Sequence, residues 1–500
     1  MYVAGEWRSA EREDEIRSPW SGEVVDTVPR AGAADADAAI EAAVQGARAM
    51  RRLTAYDRQQ ILNRAADLLE NACEDVARTI SLEEGKPLSE ALGEARRTPD
   101  LIRLAASEGA RMHGETLPLD AAAGGEGKLG FTLRVPCGVV VAIAPFNYPL
   151  LLVAHKIAPA LAAGNAVVLK PASQTPLTAL KLTELFLEAG LPANALQTLT
   201  GSGGELGPAL CSDERVRKIS FTGSVEVGRT IAGAAGVKKL SLELGANCPV
   251  IVLPDADLEE VAAATAAGGY VNAGQVCISV QRVLVDERAY GDFLDALRPR
   301  VEAIAIGDPL AEGTQLAALV SEGEAERVAG TIQGAVEAGA RLVTGGSRER
   351  GVIEPAVVAD VPEETALWRD ELFGPAVAVR PVAGVDEAIA VANDTRYGLG
   401  AGIFTRDVTS ALRFVREVDA GNLHVNWTPL WRADLMPYGG LKGSGIGKEG
   451  PRYAVEEMTE LKTVVFHGRE SGGFRDSRGR GSAQAGQRPA DQHGVNGGGS

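Results

Sequence analysis

The apolar positions of the chain change periodicity at about residue 134, and this change predicts an α/β architecture. Before that point, apolar residues recur at the spacing of a buried helix face. The helical ranges are 35–50, 55–80 and 89–112. After it, short apolar runs alternate with helical segments such as 177–189 and 225–235, and the runs predict strands at 139–144, 166–169, 196–199, 218–221 and 240–244. Such alternation is typical of a parallel sheet covered by helices on both faces.

A second alternation after residue 277 predicts another α/β domain, with strands at 282–285, 341–343 and 376–380. Five hundred residues exceed what one hydrophobic core usually supports, so several domains are expected. A turn at 124–127 joins two extended segments and predicts a hairpin. From about residue 467 the chain is rich in glycine and poor in large apolar residues, so 467–500 is predicted to be a disordered tail.

Composition and charge exclude several classes of protein. The formal net charge of −17 and the lack of a basic run argue against a nucleic-acid-binding surface. The apolar runs are too short to span a bilayer and no secretory signal is recognisable, so a cytoplasmic protein is expected. Five cysteines also indicate a reducing compartment rather than a disulfide framework. The five histidines lack the spacing of metal ligands, so no metal site is expected.

Two short segments contain the candidate catalytic groups. Residues 242–245 set the carboxylate of Glu243 in an apolar stretch, and residues 274–277 end a glycine-containing turn on the thiol of Cys277. A thiol nucleophile and a carboxylate base are the two groups needed to oxidise an aldehyde through a thioester. Each group also has a structural interpretation, because a buried cysteine often only packs and a buried carboxylate is often paired.

Residues 221–228 are the best candidate for a nucleotide-binding turn, because they leave a predicted strand and enter a predicted helix directly. Gly223 permits a close backbone approach, and the free N–H groups of a helix start suit a pyrophosphate, although a plain turn remains an alternative. Lys170 ends another predicted strand, at the edge where parallel sheets bind ligands, but a solvated lysine fits the same pattern. Residues 445–450 match G-x-G-x-x-G but follow a turn, which argues against a nucleotide loop.

Seven motifs taken together resemble those of the aldehyde dehydrogenase superfamily over about residues 7–465. They are Pro145-Phe146-Asn147-Tyr148-Pro149, Lys170-Pro171-Ala172-Ser173-Gln174-Thr175-Pro176, Phe221-Thr222-Gly223-Ser224, Glu243-Leu244-Gly245, Gly274-Gln275-Val276-Cys277, Glu371-Leu372-Phe373-Gly374-Pro375 and Pro437-Tyr438-Gly439-Gly440. The resemblance implies a Rossmann-like NAD(P)-binding domain at 1–110 and 136–245, and an α/β catalytic domain at 246–454. It also implies an oligomerisation hairpin at 111–135 and 455–466, and a homodimer or homotetramer.

The resemblance also implies a role for each catalytic residue. Cys277 is similar to the family nucleophile, and the Asn147 amide with the Cys277 backbone N–H would bind the oxyanion. Glu243 would activate the water that hydrolyses the thioester, and Glu460 matches a buried acid that would relay its proton. Relatives that transfer the acyl group to coenzyme A generally lack such a glutamate, so hydrolysis is favoured. A coenzyme-A-acylating enzyme and a non-catalytic binding protein remain alternatives.

Further residues are implied to bind the cofactor. They are Ala144, Pro145, Phe146, Lys170, Ser173, Thr222, Gly223, Ser224, Gly228, Leu244, Glu371 and Phe373. NAD-preferring relatives commonly have glutamate where this chain has Ser173, and a carboxylate there would repel a 2′-phosphate. NADP is therefore expected to be preferred, with Lys170 pairing its phosphate, and NAD to be accepted.

The expected substrate is a small polar or anionic aldehyde. His155 and Arg432 occupy positions where relatives that oxidise apolar aldehydes usually have aromatics, and Arg97 falls near another tunnel position. Asn147, Leu151 and His155 recur every four residues and are expected to share one helix face. The arrangement resembles the branch with phosphonoacetaldehyde, non-phosphorylating glyceraldehyde-3-phosphate and lactaldehyde dehydrogenases. Phosphate-using relatives often have arginine at the position of Val276, which weakens the case for a dianionic phosphate; the predicted substrate is a phosphono-, sulfo-, carboxy- or hydroxy-aldehyde. For Arg432, a structural contact to Asp434 or to a loop carbonyl is the alternative.

Overall fold

The computed structural model describes residues 1–468 in two compact units. One unit contains Met1–Met112 and Arg134–Glu460, and the other contains His113–Leu133 and, within the described chain, residues 461–468. The strands, numbered in chain order, are β1 (Tyr2–Val3), β2 (Glu6–Trp7), β3 (Glu13–Arg17), β4 (Val24–Pro29), β5 (Thr116–Leu117), β6 (Lys128–Pro136), β7 (Val139–Ile143), β8 (Ala166–Lys170), β9 (Leu196–Thr198), β10 (Val216–Thr222), β11 (Lys239–Glu243), β12 (Pro249–Val252), β13 (Arg282–Asp286), β14 (Arg341–Thr344), β15 (Arg348–Glu349), β16 (Val352–Ile353), β17 (Ala356–Ala359), β18 (Ala376–Val382), β19 (Gly400–Phe404), β20 (Asn422–Val425), β21 (Gly445–Ile446) and β22 (Thr459–His467). The α-helices are α1 (Ala33–Met50), α2 (Ala55–Asn71), α3 (Cys73–Glu84), α4 (Leu88–Ala110), α5 (Leu151–Ala162), α6 (Leu177–Glu188), α7 (Gly203–Ser212), α8 (Val225–Ala235), α9 (Leu258–Tyr270), α10 (Tyr290–Glu302), α11 (Glu322–Glu337), α12 (Ala366–Arg369), α13 (Val385–Asn393), α14 (Val408–Glu417) and α15 (Pro451–Glu457).

The prediction of one helix over 55–80 is wrong, because two helices meet at Ala72. A capping box begins α2: Thr54 Oγ1 accepts a hydrogen bond from the Asp57 N–H, and the Asp57 carboxylate accepts one from the Thr54 N–H. At Ala72 the backbone leaves helical geometry, with φ −94° and ψ 6°. Neither glycine nor proline marks this break, so the apolar spacing alone could not reveal it.

The first sheet of the larger unit has the strand order β2-β1-β9-β8-β7-β10-β11-β21. Its five central strands, β9, β8, β7, β10 and β11, run parallel, which confirms the predicted α/β class. In register, Ile143 lies opposite Lys170 and Thr222 lies opposite Glu243. Because parallel strands end at a common edge, the side chains that follow or close these strands meet there.

The second sheet of this unit has the order β14-β17-β18-β13-β12-β19-β20, and only β14 pairs antiparallel. Its core contains fully buried side chains such as Val283, Val377 and Phe293. The first sheet has separate clusters of buried apolar residues on its two faces. The division into cofactor and catalytic domains at residue 245 remains a prediction.

The smaller unit is built on a three-stranded sheet of the order β22-β6-β5, in which β5 and β6 pair antiparallel. The Phe131 and Phe466 rings stack in it with centroids 5.9 Å apart. Its bounds differ from the predicted hairpin, since 455–457 belong to α15 and 458–460 to the larger unit. The predicted tail lies outside the described residues, except that His467 ends β22 and Gly468 follows it. Among the described helices, none has the length and apolar character needed to cross a bilayer.

Candidate active site

Cys277 lies at the end of a tightly turned loop between α9 and β13. Three consecutive residues before it have left-handed backbone, with φ values of 50° at Asn272, 52° at Ala273 and 72° at Gly274. A side chain at Gly274 would stand 2.1 Å from the Gly374 carbonyl oxygen, so only glycine fits there. The Cys277 sulfur is 2.9 Å from the Tyr438 hydroxyl. Burial raises the pKa of Cys277 to about 12, although the Tyr438 hydrogen bond lowers it.

Asn147 reaches the nucleophile loop from a bend before α5, so the expectation that it shares a helix face with His155 is wrong. Its Nδ2 donates to the Gln275 carbonyl at 2.8 Å. Its own carbonyl accepts hydrogen bonds from Lys86 Nζ at 2.7 Å and from Asn272 Nδ2 at 3.1 Å. The side-chain amide of Asn147 is therefore held beside the loop that ends at Cys277.

Glu243 closes β11 and is only 4% exposed, yet no group in residues 1–468 hydrogen-bonds to its Oε2. Burial raises the pKa of Glu243 well above its usual value, and the neighbouring negative charge of Glu449 raises it further. Arg432 and Lys156 oppose that shift. A buried carboxylic acid with a free oxygen and a raised pKa is suited to proton transfer rather than to holding structure.

Sequence analysis missed Lys156 and Glu449, which meet beside Glu243. Lys156 Nζ lies 2.6 Å from Thr222 Oγ1 and 3.2 Å from Glu449 Oε1, and Arg432 contacts Glu449 Oε2 at 3.1 Å. Burial would raise the pKa of Glu449, but Lys156 and Arg432 outweigh it and lower the pKa to about 2. Lys156 could have been found, because a lysine within the wholly buried helix α5 requires a partner.

The prediction that Glu460 is a buried acid is wrong. Its side chain is 46% exposed, and its nearest cation is Lys239 Nζ, at 3.9 Å. Lys239 begins β11, whereas Glu243 ends it, so Glu460 lies near the start of this strand and Glu243 is at its end. The physical reason is the position of Glu460 near the start of β22, an edge strand of the smaller sheet. Glu449, and not Glu460, is the acid beside Glu243.

Lys170 ends β8, and Ser173 follows three residues later. Lys170 is 4% exposed, so the solvated-lysine interpretation is wrong. Its Nζ donates to the Pro171 carbonyl at 2.8 Å, and among the described residues no carboxylate pairs with it. Burial lowers the pKa of Lys170 to about 8. Ser173 Oγ donates to the Gly201 carbonyl at 2.9 Å. A buried amine without a counterion fits the phosphate or ribose of a nucleotide.

The strand-turn-helix candidate has the predicted geometry. Thr222 ends β10, and Ser224 caps α8 by accepting a hydrogen bond from the Val227 N–H at 3.3 Å. The remaining N–H groups at the start of this helix suit a pyrophosphate. A side chain at Gly228 would stand 2.5 Å from the nearest Leu244 methyl group, so α8 packs closely on the end of β11. Ala144 follows β7 at the same edge and donates to the Lys170 carbonyl at 3.1 Å.

Glu371 and Phe373 line a cavity that also contains Val276 and Cys277. Glu371 Oε1 accepts a hydrogen bond from the Ala246 N–H at 3.0 Å, and burial raises the pKa of Glu371 to about 7. Phe373 has a left-handed φ of 51°, and its ring packs edge-on against Phe146, with centroids 5.7 Å apart. The cavity joins the predicted cofactor residues to the nucleophile.

A row of polar side chains leads away from Cys277, and we call Tyr438, Arg432, His155, Asp434 and Arg97 the polar row. The Arg432 guanidinium lies 3.8 Å above the Tyr438 ring, and its NH2 is 3.2 Å from His155 Nε2. His155 Nε2 is 3.2 Å from Asp434 Oδ1. Arg97 clamps Asp434 through two contacts of 2.6 and 2.7 Å and is 37% exposed. Arg432 itself pairs with Glu449 rather than with Asp434.

Known proteins with similar sequences and structures share this arrangement of sheets. Residues 7–464 match the model of the aldehyde dehydrogenase family. A 3-sulfolactaldehyde dehydrogenase from Priestia megaterium is 43% identical over 467 residues, which cover 93% of this chain and 98% of the relative.

Two solved structures are also similar. Aldehyde dehydrogenase 21 from Physcomitrella patens, in complex with the product succinate, has a TM-score of 0.91 and 38% identity, covering 94% of this chain and 98% of that chain. The glyceraldehyde-3-phosphate dehydrogenase GapN from Methanocaldococcus jannaschii, complexed with NADP, has a TM-score of 0.88 and 36% identity, covering 91% and 100%. With these matches over nearly the whole described chain, the protein belongs to the aldehyde dehydrogenase family and is an NAD(P)-dependent enzyme.

Proposed function

We propose that the enzyme oxidises a small aldehyde with an anionic or hydroxylated end to its free carboxylic acid, preferentially with NADP. The observation that carries this proposal is the polar row, which begins with Tyr438 on the Cys277 sulfur and ends at the partly exposed Arg97. The charged groups of the row are paired, but among the described residues the buried Nε of Arg432 has no hydrogen-bond partner, and an apolar aldehyde would leave it unsatisfied. A short chain with a polar end could accept a hydrogen bond from it.

The reaction is proposed to begin at Cys277. Its thiolate attacks the aldehyde carbon, a C–S bond forms, and the carbonyl oxygen becomes an oxyanion. The Asn147 amide and the Cys277 backbone N–H donate hydrogen bonds to this oxyanion. A nicotinamide bound beside Cys277 would supply the oxidant, so that loss of a hydride from the same carbon would convert the thiohemiacetal to a thioester.

Hydrolysis of the thioester is assigned to Glu243. The ionised carboxylate takes a proton from water, the resulting hydroxide attacks the thioester carbon, and the C–S bond breaks to release the acid and the Cys277 thiolate. The free Oε2 of Glu243 supports this role, because a water molecule can bind there without displacing a protein group. The negative charge of Glu449 raises the pKa of Glu243, and the positive charges of Lys156 and Arg432 lower it.

The substrate end is assigned to the polar row and its neighbours. Three cations, Lys156, Arg97 and Arg432, pair there with two carboxylates, those of Asp434 and Glu449. The sum over these five groups is one positive charge, which favours a monoanionic sulfonate or carboxylate over a phosphate dianion. Val276 beside the nucleophile adds no further cation. The similar 3-sulfolactaldehyde dehydrogenase, whose named substrate has a sulfonate, and the succinate bound to aldehyde dehydrogenase 21 support this charge class.

NADP preference is proposed from Ser173 and Lys170. A 2′-phosphate would supply the buried Lys170 ammonium with the counterion that the described residues do not provide. Ser173 adds a neutral hydroxyl in place of a repelling carboxylate. Both NADP and NAD are bound by relatives of known structure, and the NADP complex of GapN is one of them.

The test is a screen of NADP reduction with short aldehydes that differ only at the far end: sulfonate, carboxylate, phosphonate, phosphate, hydroxyl or methyl. We expect the largest kcat/KM with sulfonate or carboxylate ends. The largest kcat/KM with methyl or longer alkyl ends would contradict the assignment of Arg97 and His155.

Two controls separate the alternatives. If coenzyme A is added and the product becomes a thioester, the enzyme is acylating and the role of Glu243 is wrong. If the wild type reduces NADP with none of the aldehydes while Cys277→Ala still binds NADP, a non-catalytic binding protein is the better description.

We also propose that the enzyme is a homodimer or homotetramer assembled through the smaller unit. This unit exposes large apolar side chains, among them Leu129, Leu461 and Phe466 at 56%, 57% and 58%. Apolar groups of this size on one small sheet are typical of an interface. Light scattering on the wild type and on Phe466→Ser would test this; a monomeric wild type would contradict it.

A further inference from the structure

A tyrosine hydroxyl contacts the nucleophile, and the mechanism above does not use it. Tyr438 is 3% exposed, and its Oη lies 2.9 Å from Cys277 Sγ. Within residues 1–468, no other hydrogen-bonding group contacts this sulfur, and no other hydrogen bond is made by the Tyr438 hydroxyl. Each group is thus the single polar partner of the other among the described residues.

The position of Tyr438 is fixed by its backbone and its ring. The Tyr438 N–H donates to the Glu449 carbonyl at 3.1 Å, and the Glu449 N–H donates back at 2.7 Å. The Arg432 guanidinium covers the ring at 3.8 Å. A cation over a phenol withdraws electron density from it and makes the hydroxyl a better hydrogen-bond donor. The arrangement therefore aims a preorganised donor at the sulfur.

The chemistry decides which atom donates. A neutral thiol and a phenol can each donate, but a thiolate can only accept. Hydrogen bonds to a charged acceptor are about twice as strong as those between neutral groups, so the contact stabilises the thiolate more than the thiol. The nucleophile of the proposed reaction is the thiolate.

We infer that Tyr438 is a catalytic residue, whose hydroxyl donates a hydrogen bond to the Cys277 thiolate and keeps it available for attack. The inference rests on the proposed role of Cys277 as nucleophile. Tyr438 changes no bond of its own: its proton stays on the phenol while Cys277 bonds to the aldehyde carbon, and the hydrogen bond to a thiolate re-forms when the acid leaves.

The surroundings of Cys277 explain why such a donor is needed. Burial raises the pKa of the thiol, and the charges of Glu243 and Glu371 raise it further, whereas Arg432 opposes them. The buried Tyr148 and Cys248 also face the sulfur, and a thiolate there raises the pKa of each. Most neighbours of Cys277 therefore disfavour its ionisation, and Tyr438 is the neighbour that favours it through direct contact.

The test is Tyr438→Phe, which removes only the hydroxyl and keeps the ring beneath Arg432. Iodoacetamide alkylates the Cys277 thiolate, and peptide mass spectrometry identifies the modified residue. The pH dependence of the alkylation rate, measured without aldehyde or cofactor, gives the pKa of the thiol. The free energy of a hydrogen bond to a charged group corresponds to a pKa change of about one to two pH units. We therefore expect the pKa of Cys277 to be higher by that amount in Tyr438→Phe than in the wild type. At neutral pH the alkylation rate should fall about tenfold to a hundredfold.

Tyr453→Phe is the matched control, because Tyr453 is half-buried in the neighbouring helix α15 and has no hydrogen bond from its hydroxyl in the described residues. Its alkylation profile should match that of the wild type. A profile of Tyr438→Phe that coincides with the wild type, or moves to lower pH, overturns the inference. Equal melting temperatures for wild type and variant exclude a folding defect as the cause of the change.

Alkylation needs no substrate, so its outcome is separate from that of the proposed function. A wild type that oxidises no aldehyde but shows the Tyr438-dependent pKa refutes the function and leaves the hydrogen bond established. A wild type that oxidises aldehydes while Tyr438→Phe keeps full kcat/KM and an unchanged alkylation profile refutes the role of Tyr438 alone.

Discussion

Two groups of buried charges differ in how far their hydrogen bonds are satisfied. In the first group, Lys86 and Glu94 are fully enclosed and 2.7 Å apart, and Glu94 also accepts bonds from the N–H groups of Leu150 and Leu151 at 2.9 Å. In the second group, Glu243 is also buried, but no described residue hydrogen-bonds to its Oε2. The satisfied carboxylate holds the start of α5 in place, whereas the unsatisfied one has capacity left for water and a proton.

The largest effect is expected from Glu243→Gln. Loss of a general base costs about 10²- to 10⁴-fold, so steady-state turnover should fall by that factor. Thioester formation does not need this carboxylate, so a stoichiometric burst of NADPH should remain in rapid-mixing experiments. An unchanged steady-state rate would contradict the assignment, and loss of the burst would move Glu243 to the activation of Cys277.

The same variant should not lose stability, and this separates the two groups of charges. Because burial raises the pKa of Glu243 above its unfolded value, ionisation of this group destabilises the fold as pH rises through the raised value. The uncharged glutamine avoids that cost. Melting temperatures of Glu243→Gln should therefore equal the wild type at low pH and exceed it at alkaline pH.

Glu94→Gln should show the reverse behaviour. It leaves the Lys86 ammonium buried without its counterion, which costs about 3–5 kcal/mol in comparable buried pairs. We expect a lower midpoint of urea unfolding. Removing both charges in Lys86→Met/Glu94→Leu should recover much of this loss. If Glu94→Gln unfolds like the wild type, the distinction between the two groups of charges is wrong.

Glu449→Gln examines the charge balance around Glu243 itself. Removing the Glu449 charge takes away the negative neighbour that raises the pKa of Glu243, and it leaves Lys156 and Arg432 free to lower that pKa. The pH dependence of thioester hydrolysis should therefore move about one pH unit toward lower pH. A shift toward higher pH would contradict the coupling; Glu460→Gln, distant from Glu243, should leave the profile unchanged.

Sequence reasoning located the groups that strand ends bring together. Lys170, Thr222 and Glu243 each end a strand of one parallel sheet, so their common edge follows from the alternation of elements. Cys277 and Asn147 were identified through motifs that resemble those of a known family. These residues are close in sequence to the elements that position them.

Residues whose partners come from distant parts of the chain were missed. Glu449 lies in a glycine-rich segment that follows a turn, and nothing local indicates that it reaches Lys156, 293 positions earlier. Motif position alone points instead to Glu460, whose side chain is partly exposed. Burial and pairing, which decide whether an acid can carry protons, are properties of the packed chain.

The smallest effect is expected from Asp434→Asn, which extends the comparison to a carboxylate of the polar row. Burial opposes its ionisation, but hydrogen bonds from His155 and Arg97 hold the pKa of Asp434 well below its usual range. Unlike Glu94, Asp434 pairs with a partly exposed cation, Arg97. The negative charge of Asp434 therefore weakens the attraction between Arg97 and a substrate anion. Removing one charge near a partly solvated site changes binding by about 1 kcal/mol, or about fivefold. The ratio of kcat/KM for phosphate- over sulfonate-ended aldehydes should rise by that factor in Asp434→Asn, and an unchanged ratio would mean that the polar row does not meet the substrate end.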